Sequence, residues 1–480
     1  MRPKAFLGVA LVLATLMSCS DQLPSQEESV ATDRSGIRLT VPDTTQFVTP
    51  SRALDVAARY SLLSPSRSAA TEVESVETVL DSTGQAAAYV INYADKGGFI
   101  IVSASKGYYP ILAQSDEGSF HVSDITDSHP ASLWLGEQKN YIRYSQSLPD
   151  SVRQQIASEW MRYNPEIAYL PASSRSEDYP DKPQVFYDSL RRWTMDPKIQ
   201  VYRYDDFLLT PEYSRLSEDE KRQIVNGIHI YGNSNYGTPE SSSLILIHDR
   251  STIESYHLID TKWDQMLDFN DSNPEGPVLG CTTVAAGQIM RFHRHPSSYE
   301  GMIINWDAMP NDYATKTTSD FLYKLAKRIG VDFKTGGANI DQVENALSAY
   351  KYECTIKPHN LDFVRSELRK QKPVYMRGVS SDLNAGHAWV CDGERLSTNR
   401  NSLRVMTLDY RPTSYSTPNL MVEAYAKDLS LSSFVFLYYN WGWRGDQNAF
   451  YVHNSFQVKV KGVWTTFSKD RKDMSIHPIK

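Results

Sequence analysis

The chain has 480 residues, enough for two or three domains. Hydrophobic residues make up 41% of it and charged residues 22%, which is the composition of an ordinary globular protein. The 50 lysines and arginines against 57 aspartates and glutamates give a net charge of −7, with no sign of a nucleic-acid partner. Four cysteines in so long a chain exclude a disulfide framework.

The N-terminus has the pattern of an export signal. Two basic residues precede an apolar run that ends at Met17 and is too short to span a bilayer as a mature helix. Its Leu-Met-Ser-Cys19 ending resembles a bacterial lipoprotein signal, in which Cys19 is lipidated and becomes the new N-terminus. The alternative is an ordinary secretory signal that contains a cysteine. Residues 1–19 therefore predict export, to the bacterial outer membrane or cell surface by a lipid anchor or by secretion after processing, and residues 20–46 a flexible tether.

A small α+β domain is predicted for residues 47–125. Thr49 is a suitable cap for a helix that starts at Pro50 and has apolar residues on one face. Strand patterns follow, at residues 77–80, 88–93 and 99–103. One helix followed by short antiparallel strands is typical of an α+β unit.

Residues 126–240 have helical patterns but no recognisable motif. Apolar residues at helical spacing predict two helices between 131 and 164. Ser217 and Glu220 form a capping box for a further helix, which we expect to end near Gly227.

A polar, glycine-bearing stretch, residues 231–243, predicts a linker, and we place the start of the last domain, residues 241–480, there. In that domain helices come first, one of them stopped by Gly330 and another capped by Asn360. Strands then dominate. The predicted helices are 320–329, 339–350 and 361–370, and the predicted strands 374–377, 387–391, 403–409 and 433–439. This order predicts an α+β fold with a helical half and an antiparallel sheet half.

A cysteine stands at the predicted start of one helix. Cys281 follows Gly280 and opens a run of small and apolar residues that ends at Phe292. At the first turn, the positive end of the helix dipole favours the thiolate, which is the nucleophilic form. The alternative is that Cys281 is a small buried apolar residue, as most free cysteines are.

A histidine opens a predicted strand. His387, Trp389 and Cys391 point to one face of that strand, and Ala388 and Val390 to the other. A cysteine nucleophile needs an imidazole that stabilises the thiolate and later protonates the leaving amine. The alternative is a purely structural histidine.

Two further stretches supply groups that such a site needs. Gln265 precedes Cys281, and its amide can donate to a developing oxyanion together with the backbone N–H of the cysteine. Asn440 and Trp441 follow a predicted strand, where they can orient the imidazole and shield it from water. The alternative for the second stretch is an aromatic corner of the core.

Together these stretches resemble the streptopain family of papain-like cysteine peptidases. The family's Gly-Cys-x-x-x-x-x-x-Gln-Ile-Met segment matches residues 280–290, its Gly-His-Ala-x-x-x-Asp-Gly matches 386–393, and its Asn-Trp-Gly-Trp-x-Gly matches 440–445. Residues 98–120, with the helix that starts at Pro50, resemble the family's propeptide, a module that also occurs alone as a Spi-type inhibitor.

The resemblance implies a papain-like catalytic domain preceded by a propeptide, with Cys281 as nucleophile, His387 as general base and acid, and Gln265 as oxyanion donor. The other implied site residues, which orient the imidazole or line the substrate cleft, are Asn440, Trp441, Trp443 and Gly386. It further implies protein or peptide substrates, no cofactor or metal, and an N-terminal region that inhibits the enzyme intramolecularly. The membrane would be contacted only through the lipid on Cys19.

The sequence departs from the family pattern in three places. Where the family has Gln-x-x-Pro-Tyr-Asn, this chain has Gln265-Met-Leu-Asp-Phe-Asn270, and the glycine-rich sequence after Asn-Trp-Gly-Trp is replaced from Arg444 onward. Residues 126–240, which we interpret as a propeptide extension and linker, match nothing in the family. These departures concern substrate preference and the maturation site, which we expect within 225–245, rather than the chemistry.

The leading hypothesis is an exported cysteine endopeptidase, made as a zymogen, that cleaves peptide bonds through an acyl-enzyme. One alternative is a non-catalytic binding or inhibitory lipoprotein of the same fold, and another is a cysteine amidase acting on cell-wall peptide. His293 and His295 would lie on different faces of a helix, so a metal site is not predicted there. Cys354 and Cys391 are either a disulfide or two free thiols.

Overall fold

The computed structural model describes residues 37–40, 45–63, 72–126, 129–163, 167–170, 182–231, 238–299, 302–379, 386–411, 420–429, 432–453, 458–460, 463–465 and 470–479. The predicted export signal with Cys19, most of the tether and residues 232–237 of the predicted linker lie outside this part of the chain. None of the helices described has both the length and the apolar composition to cross a membrane.

The N-terminal region consists of a helix, a run of strands and two further helices. Its elements are β1 (Ile37–Thr40), α1 (Pro50–Leu63), β2 (Val73–Leu80), β3 (Ala86–Tyr93), β4 (Phe99–Ser103), β5 (Ile111–Ser115), α2 (Ala131–Arg143), α3 (Asp150–Met161) and β6 (Ile167–Leu170). The hydroxyl of Thr49 caps α1 by accepting a hydrogen bond from the backbone N–H of Arg52 at 3.2 Å. The predicted helices and strands of this region are confirmed, and β1, β5 and β6 are additional.

The next region is mostly helical. Its elements are α4 (Gln184–Thr194), β7 (Ile199–Arg203), α5 (Tyr204–Phe207), α6 (Pro211–Ser214), α7 (Glu218–Tyr231) and β8 (Ser243–Asp249). The capping box is confirmed, since the N–H of Glu220 donates to Ser217 Oγ at 3.3 Å and the N–H of Ser217 to Glu220 Oε2 at 2.8 Å. The predicted end of α7 near Gly227 is wrong, because this glycine lies inside the helix. A Cβ at Gly227 would stand 2.2 Å from the carbonyl oxygen of Ala424, so the glycine allows close packing rather than ending the helix.

In the described C-terminal region four helices precede most of the strands, as predicted, and four further strands lie before or between those helices. Its elements are β9 (Thr252–His257), α8 (Cys281–His293), β10 (Ser298–Tyr299), β11 (Met302–Ile303), α9 (Lys316–Ile329), α10 (Ile340–Ala349), β12 (Tyr352–Pro358), α11 (Leu361–Arg369), β13 (Val374–Val379), β14 (Gly386–Asn399), β15 (Asn401–Leu408), β16 (Met421–Asp428), β17 (Ser432–Asn440), β18 (Ala449–Val452), β19 (Val458–Val460), β20 (Val463–Thr465) and β21 (Lys472–Pro478). Gly330 ends α9 in the left-handed conformation, with φ 78°. Asn360 caps α11 by accepting from the N–H of Phe363 at 2.9 Å.

Within the described residues, eleven strands form one antiparallel sheet in the order β12-β21-β13-β14-β17-β18-β5-β4-β3-β2, with β9 also paired to β14. The N-terminal strands join the C-terminal ones where β5 meets β18, with Gln114 opposite Phe450 and Ala113 opposite Tyr451. The N-terminal region is therefore a continuation of the C-terminal sheet and not a separate body beside it.

The strand β14 separates two hydrophobic cores. Trp389 and Cys391 belong to the core under α1, α2 and α3, whereas Ala388 and Val390 belong to the core under α8, α9 and α10. The predicted alternation along this strand is thus confirmed. By the same alternation, the side chain of His387 lies on the face that the N-terminal region covers.

A smaller antiparallel sheet has the order β16-β15-β8-β7 in the described part of the chain. The strand β7 lies before the predicted boundary at residue 240, and the other three lie after it. Both the small sheet and the large sheet thus contain strands from before and after residue 240. The exact division into domains stays a prediction. The predicted α+β class, with a helical half packed on an antiparallel sheet, is confirmed.

Candidate active site

Cys281 is the first residue of α8. The preceding Gly280 has φ 83°, and a Cβ there would stand 2.5 Å from the carbonyl oxygen of Gly336, so only glycine fits at this position. The half-buried sulfur of Cys281 accepts a hydrogen bond from the backbone N–H of Ala388 at 3.4 Å. The N-terminus of α8 therefore meets the start of β14 next to His387, which brings the two predicted catalytic residues to one place.

The surroundings of Cys281 act on the pKa of its thiol in opposite directions. Burial raises the pKa of the thiol, and the N–H groups of Ala388, Thr282 and Cys281 itself lower it less than burial raises it. The guanidinium of Arg377, which the sequence analysis did not single out, also lowers the pKa. In this structure burial therefore opposes the thiolate that the helix start favours, and the thiolate stays a prediction.

His387 is the second residue of β14, where it pairs with Gly378, and it is 8% exposed. A Cβ at Gly378 would stand 2.6 Å from Leu133 Cδ2, so helix α2 lies against the strand position that pairs with His387. Gly386, the predicted cleft residue, is exposed, and a Cβ there would stand 3.5 Å from a guanidinium nitrogen of Arg377.

Gln265 lies beside the turn that precedes the nucleophile helix. Its carbonyl accepts from the N–H of Leu279 at 2.9 Å. Its side-chain oxygen is 3.8 Å from the position that a Cβ of Gly336 would occupy, and Gly336 contacts Gly280. The side chain of Gln265 thus lies beside the contact between Gly336 and Gly280, the residue before Cys281, and its role as oxyanion donor stays a prediction.

The side chain of Asn440 bonds to three groups that the sequence analysis did not foresee. Its Nδ2 donates to the carbonyl of Thr261 at 2.7 Å, and its Oδ1 accepts from Gln288 Nε2 and from the N–H of Gly442, each at 3.2 Å. These bonds join three segments of the chain. That Asn440 orients the imidazole stays a prediction.

Trp441 is buried in an aromatic cluster. Its indole N–H donates to the carbonyl of Gln447 at 3.1 Å, and its ring centroid is 5.3 Å from that of Trp389, two residues beyond His387. This packing supports the strand that carries the histidine.

Trp443, the predicted cleft wall, contacts a histidine of the N-terminal region. The ring centroids of Trp443 and His129 are 4.8 Å apart, and His129 Nε2 lies 2.9 Å from Gln447 Oε1. Burial, with a smaller contribution from the neighbouring His387, lowers the pKa of His129 to about 4 against the bond to Gln447, which raises it. His129 is not predicted from the sequence as a site residue, since a single His-Pro pair before a helix has no motif around it.

Two of the three departures from the family pattern contact each other. Arg444, which follows Asn-Trp-Gly-Trp, forms an ion pair with Asp268 of the loop before the nucleophile. Asp268 also accepts from the N–H of Ala314 at 2.7 Å, so the altered loop is held at both sides.

The remaining candidates are placed as follows. Among the residues described, no group of three or more histidine, cysteine, aspartate or glutamate side chains could hold a metal ion. Cys354 and Cys391 are free thiols, and they lie in different cores. Cys19 lies outside the described residues.

Comparison with known proteins gives two family matches. Residues 263–451 match the model of the Peptidase C10 family, and residues 45–142 match that of the Spi protease inhibitor. The thiol protease/hemagglutinin PrtT of Porphyromonas gingivalis is 29% identical over 175 residues, covering 27% of this chain and 20% of the relative. The match therefore spans about a fifth of that protein's length.

Among solved structures, a fragment of Prevotella intermedia prointerpain A aligns with a TM-score of 0.43 and 16% identity, covering 84% of this chain and 98% of that one. The match to the family models confirms the resemblance to streptopain-type peptidases. Residues 263–451 are a domain of the Peptidase C10 family, the streptopain family, and residues 45–142 before it are a domain of the Spi protease inhibitor type.

Proposed function

We propose that the chain is a cysteine endopeptidase that is made as a latent precursor. The observation that carries the proposal is the hydrogen bond from the N–H of Ala388 to the sulfur of Cys281, at 3.4 Å. It joins a cysteine at a helix N-terminus to the residue next to His387, in a domain of a cysteine peptidase family.

In the proposed reaction, the sulfur of Cys281 attacks the carbonyl carbon of the scissile peptide bond while His387 holds the proton of the thiol. The resulting oxyanion accepts hydrogen bonds from the side chain of Gln265 and the N–H of Cys281. His387 then gives its proton to the leaving amine, which departs and leaves a thioester. A water that His387 deprotonates attacks the thioester, which releases the acid product and restores the thiol.

The N-terminal region is proposed to hold the precursor latent. Its helix α2 covers the strand position opposite His387, and its His129 packs on Trp443. Its strand β5 pairs with β18 of the peptidase sheet. These contacts support a steric block in which no catalytic side chain has to be altered.

Processing and location remain as the sequence predicts them. We propose self-trimming within 225–245, of which residues 232–237 lie outside the described part of the chain. We further propose export of the protein, with a lipid on Cys19 or secretion after processing.

Casein hydrolysis tests the proposed activity. The trimmed parent should hydrolyse casein, iodoacetamide should stop it, and Cys281→Ala should lose several orders of magnitude in rate because the covalent route is removed. Cys354→Ser is the matched control, a half-buried thiol in another part of the domain, and it should stay active and sensitive to iodoacetamide. Full hydrolysis by Cys281→Ala would exclude the assignment, and cleavage of cell-wall peptide without casein would favour the amidase.

A further inference from the structure

We propose that Gln288 is a positioning residue that holds the oxyanion donor of this site in register with the nucleophile. The inference rests on the peptidase function proposed above. Gln288 belongs to the motif of residues 280–290, but it takes no part in the reaction proposed above. We call residues 261–265, which end at the oxyanion donor Gln265, the oxyanion arm.

Gln288 lies two helical turns after Cys281 on α8, and it is fully buried, with 0% of its surface exposed. Its side-chain oxygen accepts from the hydroxyl of Thr261 at 2.9 Å and from the N–H of Trp263 at 3.4 Å. Its side-chain nitrogen donates to Asn440 Oδ1 at 3.2 Å. The side-chain amide of Gln288 therefore bonds to the oxyanion arm and to residues 440–445, which we call the Asn440 loop. The backbone of Gln288 belongs to α8, the helix that carries the nucleophile.

The oxyanion arm is fixed on its other side by the same loop. The carbonyl of Thr261 accepts from Asn440 Nδ2 at 2.7 Å, and the carbonyl of Trp263 accepts from the N–H of Arg444 at 3.2 Å. The arm thus lies between the loop and α8, and Gln288 is the side chain of α8 that bonds to both.

The position of Gln288 itself is set by tight helix packing. The neighbouring Gly287 faces α9, where a Cβ would stand 2.7 Å from Leu322 Cδ2. The loop is equally close, since a Cβ at Gly442 would stand 2.9 Å from Val284 Cγ1. A side chain held between such close neighbours transmits position rather than absorbing displacement.

Only an amide satisfies this site. It must accept from the arm and donate to Asn440 in a place that water does not reach, and an unmatched buried polar group is costly. Methionine has the length of glutamine without either function, so Gln288→Met removes the bonds and keeps the volume.

The expected effect of Gln288→Met is selective. Cys281 and His387 stay on α8 and β14, so the reaction of the thiol with iodoacetamide should change by less than about threefold. The displaced arm misplaces Gln265, and loss of one oxyanion donor lowers kcat by about a hundredfold or more. KM should change little, because the oxyanion forms only in the transition state.

The experiment measures kcat, KM, the alkylation rate of Cys281 and amide hydrogen exchange in trimmed Gln288→Met, Thr261→Val and the double variant. Thr261→Val removes one bond to Gln288 and is the milder change if Gln288→Met folds poorly. The double variant should be no slower than Gln288→Met, since both act through the same contact. Ser319→Ala, a buried residue of α9 whose Oγ accepts from the N–H of Ser272 at 2.7 Å, is the control and should behave as the parent.

Hydrogen exchange at residues 261–265 provides a readout that needs no turnover. It should be faster in Gln288→Met and unchanged in α9. An unchanged kcat, unchanged exchange of the arm, or a parallel loss of kcat and alkylation would each overturn the proposal. A parent that alkylates but hydrolyses nothing would contradict the peptidase function instead, and the exchange of the arm would still decide the positioning role.

Discussion

His129 Nε2 of the N-terminal region lies 2.9 Å from Gln447 Oε1 of the peptidase domain. The other ring nitrogen accepts from the N–H of Ala131 at 3.1 Å, so the imidazole is neutral and donates its proton to Gln447. The same ring packs on Trp443, and His387 is close enough to lower the pKa of His129. A histidine of the inhibitory region is thus built into the wall of the candidate active site.

The first prediction is that His129→Ala makes Cys281 of the uncut precursor more accessible to reagents. Without the imidazole, the contact with Trp443 and the bond to Gln447 are lost, and Cys281 becomes accessible. We expect the uncut precursor to react with iodoacetamide several-fold faster than the parent. His121→Ala, a more exposed histidine of the same region that pairs with Glu77, should not change the rate.

The second prediction concerns pH. Docking holds His129 neutral with a pKa of about 4, whereas a released histidine titrates near its ordinary 6.5. The pKa of His129 is lower when the N-terminal region is docked on the peptidase domain than when it is released. The docking equilibrium is therefore most favourable above about pH 6.5. As the pH falls from 6.5 towards 4, the equilibrium constant for docking should fall by at most about tenfold per pH unit. An NMR titration, with His129→Gln to assign the signal, should give a pKa near 4 in the precursor, and a value near 6.5 would contradict the docked contact.

The third prediction concerns the small sheet. Gly227→Ala places a Cβ 2.2 Å from the carbonyl oxygen of Ala424 and should cost about 1–3 kcal/mol in the free energy of unfolding. Gly136→Ala in α2 is the matched control, since nothing lies within 4 Å of its added Cβ, and it should be neutral or stabilising by up to about 1 kcal/mol. Denaturant unfolding of both variants measures the difference, and equal effects would contradict the packing of α7 on β16.

The fourth prediction concerns the imidazole of the site. In the trimmed form, His387→Ala should be inactive and should slow the alkylation of Cys281 at about pH 6, because the thiolate loses its imidazolium partner. His248→Ala, on β8, is the control. Equal alkylation rates in His387→Ala and the parent at that pH would exclude an ion pair between the two residues.

Local signals explain what the sequence could predict. The caps at Thr49 and Asn360 act on backbone N–H groups within three residues, so they are visible in a short window. The start of α8 at Cys281 was predictable for the same reason, since Gly280 marks it. The family motifs put Cys281 and His387 in one predicted site, which agrees with the hydrogen bond from the N–H of Ala388 to the sulfur of Cys281.

Long-range pairing explains what the sequence could not predict. The strand β7 lies in the same four-stranded sheet as β16, more than two hundred residues later in the chain, and no local pattern brings the two strands into one sheet. Gly227 predicts a helix end because glycine commonly terminates helices. In the structure the helix continues, and the glycine is needed for the close contact with Ala424. The roles of His129 and Gln288 likewise depend on partners that only the fold brings near.

The most direct test of the central claim compares casein hydrolysis by equal amounts of uncut precursor, trimmed parent, trimmed Cys281→Ala and uncut His129→Ala. We expect activity in the trimmed parent, none in trimmed Cys281→Ala, little in the uncut precursor, and more in uncut His129→Ala than in the uncut parent. Equal activity in the uncut precursor and the trimmed parent would contradict latency, and activity in Cys281→Ala would contradict the assignment of the nucleophile.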